Sequence, residues 1–175
     1  MRNVDLIPTV LSTTASSVNV GGTFVLNNTV ANQGTTSTSA TTTVSYYLST
    51  DATITTADTQ IGSRTVSSLA AGASSSASPT ITISTGLTPG VYYLGMLADS
   101  ANTQAESNET NNALVATGTV TVVRDVDLVM SAVSTTATSV NIGGSFTIDN
   151  TETNQGSTVT SASTNTVRFY LSTDA

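Results

Sequence analysis

The sequence predicts an all-β protein: an immunoglobulin-like Greek-key sandwich of about seven strands, then the opening strands of a second copy. Three observations carry this. Apolar residues recur in short alternating runs bounded by Gly, Asn and Ser, the period of half-buried strands. Thr and Val dominate those runs, and both suit a pleated surface. The chain also matches itself at long range: Ser-Val-Asn-Val-Gly-Gly-Thr-Phe (Ser17 to Phe24) returns as Ser-Val-Asn-Ile-Gly-Gly-Ser-Phe (Ser139 to Phe146).

In chain order, the first strand is expected at 4–13 and the second at 22–32, opened by Gly21-Gly22 and closed by Asn32-Gln33-Gly34. Comparison of the copies sets the faces of the second strand. Phe24 and Leu26 match Phe146 and Ile148 and point inward, whereas Val25 and Asn27 match Thr147 and Asp149 and point outward. The third strand, 41–49, buries Val44, Tyr46 and Leu48, matched by Val167, Phe169 and Leu171, and turns Tyr47 the other way. A fourth strand follows at 60–67. After the Ala71-Gly72 turn comes the fifth, at 75–84, and Pro89-Gly90 opens the sixth, at 90–99. The seventh, 113–123, runs to the linker at Arg124.

The self-match sets the domain organisation. Asp5-Leu6 returns as Asp127-Leu128 and Asn32-Gln33-Gly34 as Asn154-Gln155-Gly156, at an offset of 122 residues. Tyr46 to Ala52 returns as Phe169 to Ala175 at an offset of 123, so one residue is inserted between the second and third strands, where a loop absorbs it. Residues 1–124 then form a complete domain and 125–175 the first three strands of a second repeat. Three strands of seven leave an apolar face and open edges, and the expected cover is a complementary segment from another chain or packing within an assembly. The alternative expectation is a cut in the sequence.

Composition removes several function classes. The 175 residues contain no Cys, His or Lys, which rules out disulfides, thiolate chemistry, a histidine base, Schiff bases and Lys–Asn isopeptide links. The net charge of −7 disfavours nucleic acid and anionic membrane surfaces as partners. No apolar run reaches the roughly 20 residues of a membrane span, and nothing near Met1 resembles a signal peptide. A leader, if the parent is exported, is expected outside this chain.

The chain resembles the CARDB (cell adhesion related domain) family of bacteria and archaea. The resemblance is carried by Asp5-Leu6, Asn32-Gln33-Gly34, Tyr47-Leu48-Ser49-Thr50-Asp51, Asp58 and Ile61-Gly62-Ser63-Arg64. It continues through Leu69-Ala70-Ala71-Gly72, Pro89-Gly90-Val91-Tyr92-Tyr93, and Asp99 followed by Glu106, Glu109 and Asn111-Asn112. It implies an immunoglobulin-like fold, tandem repetition in large exported proteins, and a role in adhesion or spacing without catalytic residues.

Two acidic groups are candidate calcium ligands, since calcium takes six to eight oxygens. One is the end loop with Asp99, Glu106 and Glu109, where the competing reading is a polar hairpin loop that satisfies its own backbone donors. The other is the repeat junction. If strands alternate direction, Asp51 and Asp58 gather there with Asp125 and Asp127, and an ion would stiffen the joint. The competing reading has Asp51 and Asp58 capping a turn. Tyr47, with Tyr92-Tyr93 on a neighbouring strand, is a candidate aromatic platform for polysaccharide, against ordinary cross-strand pairing. Asn27-Asn28-Thr29 and Asn108-Glu109-Thr110 match the N-glycosylation pattern.

The expected function is therefore non-catalytic: a structural or adhesive repeat of an extracellular or cell-surface filament, stalk or adhesin. It requires no cofactor beyond a candidate calcium ion, and its partners are other copies of itself. The alternative is a polysaccharide-binding accessory module of a larger exported protein.

Overall fold

A computed structural model describes residues 3–157 and 164–173. The recurring Asp174-Ala175, and part of the stretch that takes the inserted residue, lie outside the described residues. The chain divides into two compact units, Met1–Arg124 and Asp125–Ala175.

The first unit is a two-sheet sandwich. Its strands are β1 Leu6–Ser12, β2 Ser17–Asn19, β3 Thr23–Val25, β4 Asn27–Asn32 and β5 Thr42–Ser49, then β6 Thr59–Val66, β7 Ser74–Ala77, β8 Thr80–Thr82, β9 Gly90–Leu97 and β10 Ala113–Val123. One layer has the order β1-β4-β7, extended by the pair β3-β8, and the other has the order β2-β10-β9-β5-β6. All seven expected strands are present, the second and fifth each in two pieces, and β2 is a further strand outside the expected ranges.

Each departure has a local cause. The first run changes sheets: Thr13 Oγ1 donates to Val25 O (2.8 Å) and accepts from Ala15 N–H (3.1 Å), which turns the chain out of β1. It re-enters the opposite layer as β2, parallel to β10 with Val18 opposite Val122. The second and fifth expected strands break side by side, between β3 and β4 and between β7 and β8. Pro79 stands at the break in the latter; it has no N–H to give the ladder and offers only its carbonyl, to Leu26 N–H at 3.0 Å.

The core lies between the layers. Phe24, Leu26, Val44, Tyr46 and Leu48 are buried as the repeat comparison predicts, whereas Val25 on the outer face is half exposed. The start of β9 is fixed by Tyr92, whose hydroxyl donates to Thr88 O at 2.8 Å, the tyrosine-corner arrangement of immunoglobulin-like sandwiches.

In the second unit β11, Leu128–Ser134, pairs antiparallel with β12, Asp149–Asn154. The register shifts between Met130 and Ala132, the counterpart of the shift between Pro8 and Val10 in the β1·β4 pair. Local contacts recur as well. Gln33 N–H donates to Asp5 O at 2.8 Å and Gln155 N–H to Asp127 O at 2.7 Å. Thr13 and Thr135 each bond a carbonyl twelve residues on, Val25 O and Thr147 O.

The expected third strand of this unit is not formed in residues 164–173, nor are counterparts of β2 and β3 at 139–141 and 145–147. The reason is pairing. In the first unit β2 bonds to β10, β3 to β8, and β5 to β6 and β9, whereas β1 and β4 bond to each other. Only the pair whose two members both fall within the second unit is present as strands.

Candidate functional site

The densest polar constellation sits where the β9–β10 loop meets the start of β1. At its centre is Asn32, fully buried at the end of β4. Its amide donates to the carbonyls of Thr36 (2.9 Å), Leu69 (3.2 Å) and Ala70 (3.3 Å), while its Oδ1 accepts from Asp5 N–H (3.3 Å) and Gly34 N–H (3.1 Å). Such a group is stable inside only because every donor and acceptor is used. Gly34 beside it cannot carry a side chain: a Cβ there would lie 2.1 Å from Asn3 O. The second unit keeps this arrangement. Asn154 Oδ1 accepts from Asp127 N–H and Gly156 N–H, both at 3.0 Å, and a Cβ on Gly156 would meet Asp125 O at 2.4 Å.

The loop side chains hold the first strand from the other side. Glu106 accepts from Leu6 N–H in a short bond and from Asn112 Nδ2 at 3.1 Å. Asn111 Nδ2 donates to Asp5 Oδ1 at 2.9 Å, and Gln33 Nε2 to Asp5 Oδ2 at 2.8 Å. Ser107 N–H adds a bond to Val4 O at 2.8 Å. Burial, reinforced by the charges of Glu109 and Asp99, pushes the Glu106 pKa up to about 7 against the pull of its two donors. The Oδ1 atoms of Asn111 and Asn112 are buried without a hydrogen-bond partner.

The other two end-loop carboxylates serve the loop itself. Asp99, buried with a positive φ of 41°, accepts from Thr103 Oγ1 and Gln104 N–H, both at 2.7 Å. Glu109 accepts from Glu106 N–H at 2.9 Å. In the β5–β6 loop Asp51 accepts from Thr53 N–H and Asp58 from Thr55 N–H, each at 2.7 Å, so both cap turns. What burial does to raise the Asp58 pKa is outweighed by hydrogen bonds from Ser49 and Thr55, which hold it below the usual range. In the second unit Asp125 accepts from Ser157 Oγ (2.7 Å) and N–H (3.1 Å), and these bonds lower its pKa. Asp127 contributes its main chain, to Asn154 and Gln155. Among the described residues no three acidic side chains converge to hold a metal ion.

Tyr47 corrects the expectation of an exposed platform: it is 3% exposed. It does face away from the core, opposite Gly95 of β9, but the β5–β6 loop folds over that outer face. Ile54 sits on Gly95 so closely that a Cβ there would fall 2.2 Å from it. The bareness of Gly95 admits Ile54, and the covered patch hides Tyr47. Tyr92 is committed to its corner, which leaves Tyr93 half-buried. In the glycosylation patterns, Asn27 and Asn108 are both exposed.

From sequence, Asn32 is read only as part of a turn, Tyr92 as a neighbour in the candidate platform, and Asp5 without a role. The signal for Asn32 was present, since it returns as Asn154 with Gln and Gly after it, a combination that marks a buried turn rather than a loop tip.

No curated protein sequence matches the chain. Among solved structures it is similar to the crystal structure of a CARDB domain from Pyrococcus furiosus, described in complex with di-metal ions. Identity is 24%, with 69% of this chain and 90% of that one covered and a TM-score of 0.50. The solution structure of the same domain gives 23% identity, 70% and 98% coverage, and a TM-score of 0.51. A domain of a protein assigned to the cell surface in Methanosarcina acetivorans gives 24%, 69% and 93%, with a TM-score of 0.48. The CARDB family itself matches residues 3–116, and with that match the chain belongs to the CARDB family of non-enzymatic, cell-adhesion-related domains.

Proposed function

We propose that the chain is a load-bearing repeat of an extracellular stalk, filament or surface adhesin, with residues 125–175 opening the next repeat of a tandem array. The observation that carries this is the pairing of β2 with β10. These strands lie near the two ends of the first unit and run parallel, Ser17 opposite Thr121 and Asn19 opposite Val123. Bonds from Thr121 N–H to Ser16 O (3.0 Å) and from Val20 N–H to Val123 O (2.9 Å) extend the patch. Tension applied through the ends of a domain in an array pulls parallel neighbours in opposite directions along their length. Their hydrogen bonds then load together instead of opening one at a time. The Glu106, Asp5 and Asn111 contacts reinforce the other strand on the load path, β1, at its first residues.

Single-molecule extension of the full chain tests the reading. Force through the ends of the first unit should meet one high, cooperative barrier; gradual yielding at low force would reject it.

A second reading adds calcium, with Asp51 and Asp58 of the first unit, Asp125 and Asp127 of the second, and, as a lesser set, Asp99, Glu106 and Glu109 as the candidate ligands. Its support is the net charge of −7 and the di-metal complex described for the Pyrococcus furiosus domain. A melting temperature raised by calcium and restored by chelator would establish it, and identical melting curves would remove it. The polysaccharide reading loses its proposed platform with the burial of Tyr47; binding on a glycan array would revive it through another surface.

A further inference from the structure

Two tripeptides carry the acceptor pattern for N-linked sugar, and the fold treats them in opposite ways. Asn27-Asn28-Thr29 is built into β4. Its middle residue is buried, with Asn28 Nδ2 donating to Ala77 O at 3.0 Å and Oδ1 accepting from Arg64 Nε at 2.8 Å. Asn28 and Thr29 pair with β1 on one side and β7 on the other. Thr29 Oγ1 is bonded to Ser76 Oγ at 2.8 Å, while Asn27 Oδ1 accepts from Ser78 Oγ at 2.7 Å. The asparagine and the threonine of this pattern are thus each engaged elsewhere. The second copy does not keep it, since Asp149 stands in the place of Asn27.

Asn108-Glu109-Thr110 lies in the loop between β9 and β10, and all three residues, with Ser107 before them, are exposed. Asn108 Oδ1 accepts from both the N–H (3.0 Å) and the Oγ1 (2.7 Å) of Thr110. The threonine that defines the pattern therefore touches the amide it would activate. Asn108 also stands outside the clamp on β1, whose side-chain contacts come from Glu106, Asn111 and Asn112.

The contact suits a particular chemistry. A carboxamide nitrogen is a weak nucleophile because its lone pair is shared with the carbonyl. When that nitrogen attacks and loses a proton, negative charge builds on Oδ1, and donors already placed on the oxygen stabilise it.

We infer that Asn108 is a modification site, the acceptor of an N-linked oligosaccharide that a transferase delivers from a polyprenyl-pyrophosphate donor, and that Asn27 is not. In the transfer Nδ2 forms a bond to the anomeric carbon, and the bond from that carbon to the pyrophosphate oxygen breaks. The polyprenyl pyrophosphate leaves with the bonding pair, and one Nδ2 proton passes to a base of the transferase. The inference rests on the extracellular reading of the chain but not on its load-bearing role.

The full chain is incubated with a purified oligosaccharyltransferase and a polyprenyl-pyrophosphate-linked oligosaccharide, and occupancy is mapped by mass spectrometry. One glycan is expected, on Asn108, with occupancy of Asn27 at least tenfold lower. Free peptides of residues 22–32 and 103–115 should be modified at similar rates, because the choice between the sites belongs to the fold. Thr110→Ala should lower occupancy of Asn108 at least tenfold and Thr110→Ser should restore most of it, with circular dichroism unchanged in both.

Equal occupancy of Asn27 and Asn108 in the folded chain would overturn the inference. So would an unmodified Asn108 in a chain whose 103–115 peptide is a good substrate, or full occupancy in Thr110→Ala. The reaction is run outside the cell, so no result depends on where the chain resides, and extension of the unmodified chain tests the load-bearing reading separately.

Discussion

Replacing Glu106 by glutamine isolates the ionisable contact that fastens the first strand. The carboxyl receives Leu6 N–H and Asn112 Nδ2, and its pKa, ordinarily 4.5, is pushed to about 7 by burial first and by Glu109 and Asp99 after it. Because the folded-state value is raised, the protonated form is the one the fold favours. Its stabilisation is fully present below pH 4.5, declines as pH rises toward 7, and is absent above it. Unscreened, the displacement corresponds to about 3 kcal/mol; the carboxyl is only partly buried, and solvent screening reduces this to about 1 kcal/mol. An amide at this position still accepts the Leu6 N–H and carries no charge at any pH. Urea unfolding of parent and Glu106→Gln between pH 5 and 8, followed by tyrosine circular dichroism, should give curves that diverge. The variant should gain about 1 kcal/mol on the parent across that range, with the m-value unchanged. Taking the difference cancels the opposite trend from Asp58 and Asp125, whose lowered values stabilise the fold above their unfolded range and lose that effect only in acid. Parallel curves would refute the assignment of this shift to Glu106.

Asn32→Ala takes the acceptor from Asp5 N–H and Gly34 N–H and the amide donor from Thr36 O at a fully buried site, while Leu69 O and Ala70 O keep the N–H groups of Thr38 and Ala73, so a loss of about 3 kcal/mol in urea unfolding is expected. A loss below 1 kcal/mol would mean that water replaces the amide. Gly95→Ala drives a Cβ into Ile54 and should cost about 1–3 kcal/mol, most of it recovered in the Gly95→Ala/Ile54→Ala double variant. Additive losses would deny that the two residues meet. Tyr92→Phe deletes the single bond to Thr88 O and should cost about 1 kcal/mol in thermal unfolding, with the fold unchanged by circular dichroism.

How much could be read from sequence alone depended on whether partners were close in pattern or only in space. Alternation and the comparison of copies report burial directly: Phe24 and Leu48 are kept, and Leu26 and Tyr46 are exchanged only for the apolar Ile148 and Phe169. The strand breaks at Pro79 and Thr13 were less visible, since each depends on which neighbour lies across the ladder. Tyr47 misled for a related reason. Period-two alternation places it on the outer face correctly, but whether a loop covers that face depends on Gly95, forty-eight residues away. The acidic residues of the end loop were noticed for their ligand chemistry, although their spacing equally suits the capping and clamping contacts they make. Sequence spacing does not distinguish a carboxylate aimed at an ion from one aimed at a backbone N–H.

The most direct test of the load-bearing reading compares two pulling directions on the full chain. The absence of cysteine allows pairs of attachment points to be introduced cleanly. Attachment at Asn3 and Arg124 shears β2 against β10, whereas attachment at Thr14 and Thr117 opens the same pair from one end. Clearly higher rupture force in the first geometry is the expected result. Equal forces in the two directions would contradict a mechanical role for this pairing and, with it, the proposed function.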